Sequence, residues 1–262
     1  MLFTRESFKF GYYLAKRDIS STYSRSLFGM SWLFVSPLVA LAIYGFVYGR
    51  VLRVGWSDPT TGEALGFILP FFCGFAPYML FSEALANATN ALLSKRGLIT
   101  TSKIPLISFI ASTLLRTGFS AILQLCVLLS LSLFYQRFYY YTLPGFLIGF
   151  LILFIFITPI SIIFAILAPF VADLKDTTRV IVRFAFYLTP IAYPLSLVSE
   201  TFQKILFLNP LTSLVELFRF PIYSNPFVFQ TWMISFLVIC SLLWAVAAFL
   251  FSKLSPAVTD VL

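Results

Sequence analysis

Thr178–Pro194 reads TRVIVRFAFYLTPIAYP and Asn209–Arg219 reads NPLTSLVELFR. The first stretch leaves a charged turn at Asp173–Arg179 as an apolar segment. It meets Pro190 and Pro194 before it is long enough to cross a bilayer straight. Proline removes a backbone donor and crowds the preceding turn, so a helix is expected to stop there. In the second stretch Asn209 is placed as an N-cap with Pro210 at the first helical position. Glu216 and Arg219 are one turn apart and form a pair, and Pro221 ends the piece. Thr201 opens a shorter helix to Leu208. Two such helices are too short to cross, so they predict a re-entrant hairpin on the outer face. Non-helical backbone at membrane depth survives only if buried in protein or lining a wet cavity. The break is therefore expected to mark the mouth of a conduit.

The rest of the chain sets this break inside a membrane. Of 262 residues, 60% are hydrophobic and 11% charged, against about 45–50% and about 25% in soluble domains. The charge-free runs Ser26–Gly49, Phe138–Ala172 and Phe220–Ser252 each exceed the roughly 20 residues a spanning helix needs. No cleavable signal peptide is expected, because the first long apolar run is too long for a signal h-region. A net charge of +8 fits basic cytoplasmic loops rather than nucleic acid. Cys73, Cys126 and Cys240 fall in apolar runs and are expected as buried small hydrophobes. The chain has no histidine, and no metal site is expected.

Taken in order, the expected fold is all-α and fills residues 1–262 as a single transmembrane permease-like domain. Residues 1–25 form an amphipathic helix in the membrane plane, with Phe3, Phe10 and Leu14 on one face and Arg5, Lys9 and Lys16 opposite. Six spans follow, at about 27–49, 65–92, 105–135, 144–171, 179–198 and 227–252, with the outer hairpin at 200–225 between the last two. With both termini inside, twelve of the 18 Lys and Arg lie on the inner side and five on the outer, which fixes the orientation. There is no internal repeat, so an inverted-repeat secondary transporter is disfavoured.

Charges inside spans are expensive and mark candidate sites. Glu83 and Arg116 are placed at similar depth on adjacent spans and are expected to pair, for transport or for structure alone. Aromatic residues make up 19% of the chain. Tyr44, Tyr48, Phe186, Tyr187 and Tyr193 are candidate lining for a channel, since rings offer flat faces along which a sugar chain slides. GxxxxGK[ST] is absent, so no nucleotide loop is expected.

Four stretches resemble the membrane subunits of ATP-binding-cassette polysaccharide exporters, the permeases of O-antigen, capsule and teichoic acid export. They are RDISSTYSRSLFGMSW (17–32), GFAPYMLFSEALANATNALLSKRGLITTSKIPL (74–106), ADLKDTTRVIVRFAFYLTPIAYP (172–194) with NPLTSLVELFR (209–219), and FSKLSPAVTDVL (251–262). Together they cover nearly the whole chain. One departure is Ala172, where that family often carries Arg.

The resemblance implies a homodimer with two copies of a separate cytoplasmic ATPase, which binds the ATP and Mg; this chain carries no cofactor and is no enzyme. It implies an inner-membrane location and a lipid-linked glycan as substrate, O-antigen first. The loop from Lys95 through Arg96 and Lys103 to Pro105 would receive the ATPase stroke, and Arg17 and Asp18 on the interface helix would lie near the same partner. Asn209, Pro210, Glu216 and Arg219 would form the outer gate, and spans one and five of both copies would line the path. Two alternatives stay open. One is a cassette exporter of capsule or teichoic acid polymer, or of a drug or small lipid. The other is a membrane enzyme acting on lipid-linked sugars, for which Glu200, Lys204, Glu216 and Arg219 are the outer charged group.

Overall fold

The structure, a computed structural model, describes residues 5–23, 29–58, 61–102, 104–223 and 232–262. It is built on α-helices. Helix α1 (Arg5–Tyr23) leads to α2 (Trp32–Tyr44), which continues into a π-helical segment, Gly45–Val51. A two-stranded antiparallel hairpin, β1 (Trp56–Ser57) with β2 (Ala64–Gly66), occupies the expected polar loop. Then come α3 (Ile68–Ala91), α4 (Arg96–Thr101), α5 (Leu106–Phe134) and α6 (Thr142–Leu167). Helices α7 (Leu174–Tyr187), α8 (Glu200–Leu206), α9 (Pro210–Arg219) and α10 (Trp232–Val261) complete the chain.

Among the described residues four helices are long and apolar enough to cross a membrane: Ile68–Ala91, Leu106–Phe134, Thr142–Leu167 and Met233–Thr259. A fifth is counted if the pair Glu200–Leu206 and Pro210–Ile222, bent by 104°, is one span, and Val35–Val51 is a shorter apolar helix. The protein is thus a multi-pass helical membrane protein.

Helix α3 is the axis, in contact with α5, α6, α7 and α9. In lipid, helices associate by close packing rather than by the hydrophobic effect, so small residues belong at the contacts. Ala76, Ala84, Ala88 and Ala91 on α3 are buried, beside fully buried Leu69, Phe71, Phe72 and Leu80. Helix α10 exposes Leu237, Val238, Leu242, Val246 and Phe249, as a helix facing lipid does.

Several expectations shift. Helix α7 begins at Leu174 and ends at Tyr187, not 179–198. Its charged start is helical because Asp176 suits the first turn and pairs with Arg179 at 2.9 Å; its end is set by Pro190. Helix α10 runs to Val261 instead of stopping near 252, since Val258 and Leu262 dock in an inner cluster with Leu92, Ile99 and Ile107. Cys126 is exposed, whereas Cys73 and Cys240 are buried, and all three are free thiols. On α1 the docked face is Ser7, Gly11, Leu14 and Ala15, while Phe10 is exposed. The reason is proximity to α5: a Cβ on Gly11 would stand 3.0 Å from the Ala111 Cβ and 3.1 Å from the Ser108 carbonyl oxygen. A phenylalanine cannot enter so tight a seam. Phe3 and Lys103 lie outside the described residues.

Candidate functional site

The break after α7 is buried: Thr189, Pro190, Ile191 and Ala192 are all shielded. Two of its carbonyls are answered by one side chain. Arg219, fully buried, donates from Nη2 to the carbonyl oxygens of Pro190 at 2.7 Å and Ile191 at 3.2 Å. Its Nε donates to the Pro70 carbonyl at 3.3 Å, and Nη1 to Glu216 Oε1 at 2.5 Å. The guanidinium also lies 5.1 Å from the centre of the Trp56 ring, a cation–π distance. A buried cation is tolerated when its donors are all used.

Asn209 adds a second tie. Its Oδ1 accepts from the Leu211 backbone N–H at 3.0 Å, the expected N-cap, and its Nδ2 donates to Thr189 Oγ1 at 2.9 Å. Gly74 of α3 faces this junction. A Cβ there would meet Val215 Cγ1 at 3.0 Å and Arg219 Nη2 at 3.2 Å. The sequence pointed to the Glu216–Arg219 pair and to the cap. It held no signal for the reach of Arg219 to Pro70 and Pro190, 149 and 29 positions away.

The C-terminal ends of α5 and α9 and the N-terminal end of α6 are tied nearby. Arg137 joins Glu63 at 2.7 Å, Thr142 donates to the Pro221 carbonyl at 2.9 Å, and Tyr141 donates to the Tyr223 carbonyl at 2.7 Å. Burial pushes the Tyr141 phenol above the ordinary tyrosine range, with Tyr139 and Tyr140 adding to the shift, so it stays a donor.

Beside the break runs a ladder of rings. Phe67, Phe71 and Phe75 stack at 5.1 and 5.2 Å along α3. Tyr48 stacks on Phe67 at 5.9 Å, and Tyr44 meets Phe71 at 5.1 Å and Phe186 at 5.4 Å. Phe186 also contacts Tyr78 at 5.2 Å and Tyr187 at 5.3 Å. Of the predicted lining residues, Tyr44, Tyr48, Phe186 and Tyr187 come together. Tyr193 touches this set through its hydroxyl, 3.4 Å from the Tyr187 carbonyl. Phe186 is buried against α3 and backs the ladder, whereas Tyr187 is 66% exposed. The α3 rings were missed, although Phe67, Phe71 and Phe75 recur at the i, i+4 spacing of one helix face. Tyr44 and Tyr48 flank the entry to the π-helical segment, a deviation that recurs at functional sites.

At the opposite end of α3, Lys95 Nζ lies 2.5 and 2.7 Å from the two carboxylate oxygens of Asp18. Arg17 approaches Asp18 at 3.7 Å. Arg96 is exposed at the start of α4, and Ala172 is exposed just before α7.

Glu83 and Arg116 line one cavity and interact through space, without a hydrogen bond or close ion pair between them. Glu83 Oε1 accepts from Ser120 at 3.1 Å, and among the described residues Arg116 has no hydrogen-bond or ion-pair partner. Both residues line a cavity of about 520 Å³, open on one side, with Ser36, Ser82 and Gln124. Arg116 also lines a second cavity of about 220 Å³, which reaches Asn90, Ser94, Lys95 and Asp18.

Comparison with known proteins adds to this geometry. Residues 11–223 match the family model described as ABC-2 type transporter. Over 215 residues the chain is 27% identical to the O-antigen export system permease protein RfbA of Klebsiella pneumoniae, covering 79% of this chain and 77% of the relative. The protein of the same name from Myxococcus xanthus is 24% identical over 216 residues, covering 81% and 79%. The polysialic acid transport protein KpsM of Escherichia coli is 21% identical over 207 residues, covering 78% and 77%.

Proposed function

The chain belongs to the ABC-2 type transporter family, and from that premise we propose that it is the permease subunit of a polysaccharide exporter, with lipid-linked O-antigen as its cargo. The ring ladder carries this reading. Tyr44, Tyr48 and Tyr187 offer flat faces with hydroxyl edges next to a broken span. Such faces hold a sugar chain loosely enough for it to slide. Two copies form a homodimer across the exposed side of α7, where Val180, Phe184 and Tyr187 stand open. The path runs along that seam.

The crossings are six: α2 with its π-helical extension, α3, α5, α6, α7 with the outer hairpin, and α10. Both termini face the cytoplasm and the membrane is the inner one. Two copies of a separate cytoplasmic ATPase bind ATP and Mg and drive the cycle. The segment from Lys95 and Arg96 through Lys103 receives their stroke, and Asp18 passes it to α1 through Lys95. Arg17 lies on the same inner surface. Asn209, Pro210, Glu216 and Arg219 hold the outer hairpin that gates the exit. The similarity to a polysialic acid transport protein supports capsule polymer as the second reading of the cargo.

The test is export in cells that carry the cognate ATPase and glycan. Tyr44→Ala with Tyr187→Ala is expected to lower surface glycan at least fivefold, while Tyr44→Phe with Tyr187→Phe keeps most of it. Equal export by both double variants would remove the ladder from the path.

A further inference from the structure

The cavity between α2, α3 and α5 holds one carboxylate and one guanidinium that face the same space without touching. Glu83 accepts from Ser120 at 3.1 Å and feels the Arg116 guanidinium through space, while Arg116 makes no hydrogen bond or close ion pair among the described residues. Gln124 lines the same space, is 5% exposed, and its Oε1 meets no donor among the described residues. Such an arrangement is costly inside a membrane. Both side chains are half-buried, and charges at membrane depth are expensive unless they are well paired. The space between them is thus lined by both signs of charge, which a ligand carrying both signs would match.

The position of the cavity narrows what that ligand is. Glu83 is eight residues before the inner end of α3 and Arg116 ten residues after the inner start of α5, or about 12 and about 15 Å deep at 1.5 Å per residue. Arg116 also borders the second cavity, whose lining of Asn90, Ser94, Asp18 and Lys95 leads back to the inner surface. A polar track thus runs from the inner surface to Glu83. One wall of the larger cavity is apolar, formed by Pro37, Met79 and Ala86. Its volume of about 520 Å³ falls within the range of about 300–1,000 Å³ typical of small-molecule sites.

Charge decides the class. An anion would satisfy Arg116 and be repelled by Glu83; a cation would do the reverse. A neutral sugar would neutralise neither. A headgroup carrying both signs satisfies both: its phosphate takes the planar fork of Arg116, and its ammonium donates to Glu83. We infer that the cavity between α2, α3 and α5 is a binding site for the headgroup of a zwitterionic phospholipid drawn from the inner leaflet. Phosphoethanolamine fits best, because its ammonium keeps three N–H donors for Glu83 and Gln124, whereas a trimethylated one has none. The inference rests on the orientation proposed above, with both termini cytoplasmic, and not on the polysaccharide reading.

The test uses the full chain, reconstituted in nanodiscs of equal parts phosphatidylethanolamine, phosphatidylcholine and phosphatidylglycerol, released into mild detergent and weighed by native mass spectrometry. Retained phosphatidylethanolamine is expected to exceed phosphatidylglycerol at least fivefold, with phosphatidylcholine between them. Glu83→Gln and Arg116→Gln should each abolish that preference, and Gln124→Leu should weaken it two- to threefold. Added phosphatidylethanolamine should raise the melting temperature of the natural protein and not that of Glu83→Gln. Equal retention of the three headgroups, retention of none, or a preference for phosphatidylglycerol overturns the assignment. So does a Glu83→Gln protein with its preference intact. Should the charge variants fail to fold, the headgroup series on the natural protein decides by itself.

Discussion

The guanidinium of Arg219 lies 2.7 Å from the carbonyl oxygen of Pro190, at the point where the fifth apolar segment stops being a helix. Every lipid-embedded break must find donors for the carbonyls it frees. Here one side chain from α9 supplies them to Pro190, Ile191 and Pro70 at once. The break and the α8–α9 hairpin are therefore one structural unit, and α9 cannot move without uncovering the break.

Arg219→Met is expected to strand three carbonyls and the Glu216 carboxylate. Breaking a buried ionic group by removing one partner costs about 3–5 kcal/mol, so the variant should unfold far earlier in a detergent denaturation series. Arg219→Lys keeps the charge but has no fork and should recover only part of the loss. A melting temperature within 2 °C of the natural protein for Arg219→Met, about 0.5–1 kcal/mol, would show that the clasp is dispensable.

Gly74→Ala places a methyl 3.0 Å from Val215 Cγ1 and 3.2 Å from Arg219 Nη2. Overpacking of this kind costs about 1–3 kcal/mol. Because the clash is with a side chain, Val215→Ala in the same protein should relieve much of it. Thermal melts of the single and double variants check this, and additivity of the two effects would contradict the contact.

Asp18 and Lys95 are partly exposed, at 23% and 16% of their side chains, so their pair contributes no more than about 1 kcal/mol to stability. Its expected importance is to coupling. Lys95→Glu should leave the melting temperature nearly unchanged but lower glycan-dependent turnover of the partner ATPase several-fold. Exchanging the two residues, Asp18→Lys with Lys95→Glu, should restore much of it. An exchanged protein no better than the single variant would refute the link from α1 to the loop.

Purified by itself, this chain is expected to hydrolyse no ATP, and hydrolysis should appear only when the partner ATPase is added. The measurement is phosphate release from the single polypeptide in proteoliposomes. Turnover that survives removal of every other protein would overturn the division of labour.

Much of this molecule was open to inspection as a string of letters. Hydrophobicity over long windows determined that it crosses a membrane, and the placement of Pro190 and Pro210 determined where the fifth segment breaks and where α9 begins. These are local effects: proline acts on its own turn, and apolar length acts segment by segment. The cap at Asn209 and the pair Glu216–Arg219 belong to the same class, since one helical turn sets both. What depended on tertiary structure joins positions far apart in the chain. The rings of α3 met Tyr44 and Phe186 only through packing, and the docked face of α1 was chosen by the small residues of α5 rather than by its own aromatics. Glu83 and Arg116 had suitable depths to touch, yet depth along two helices says nothing of the gap between them. Arg219, which by itself is a charged residue at a helix end, became the seal of the break because close approach of α3 and α9 at Gly74 left its donors nowhere else to go.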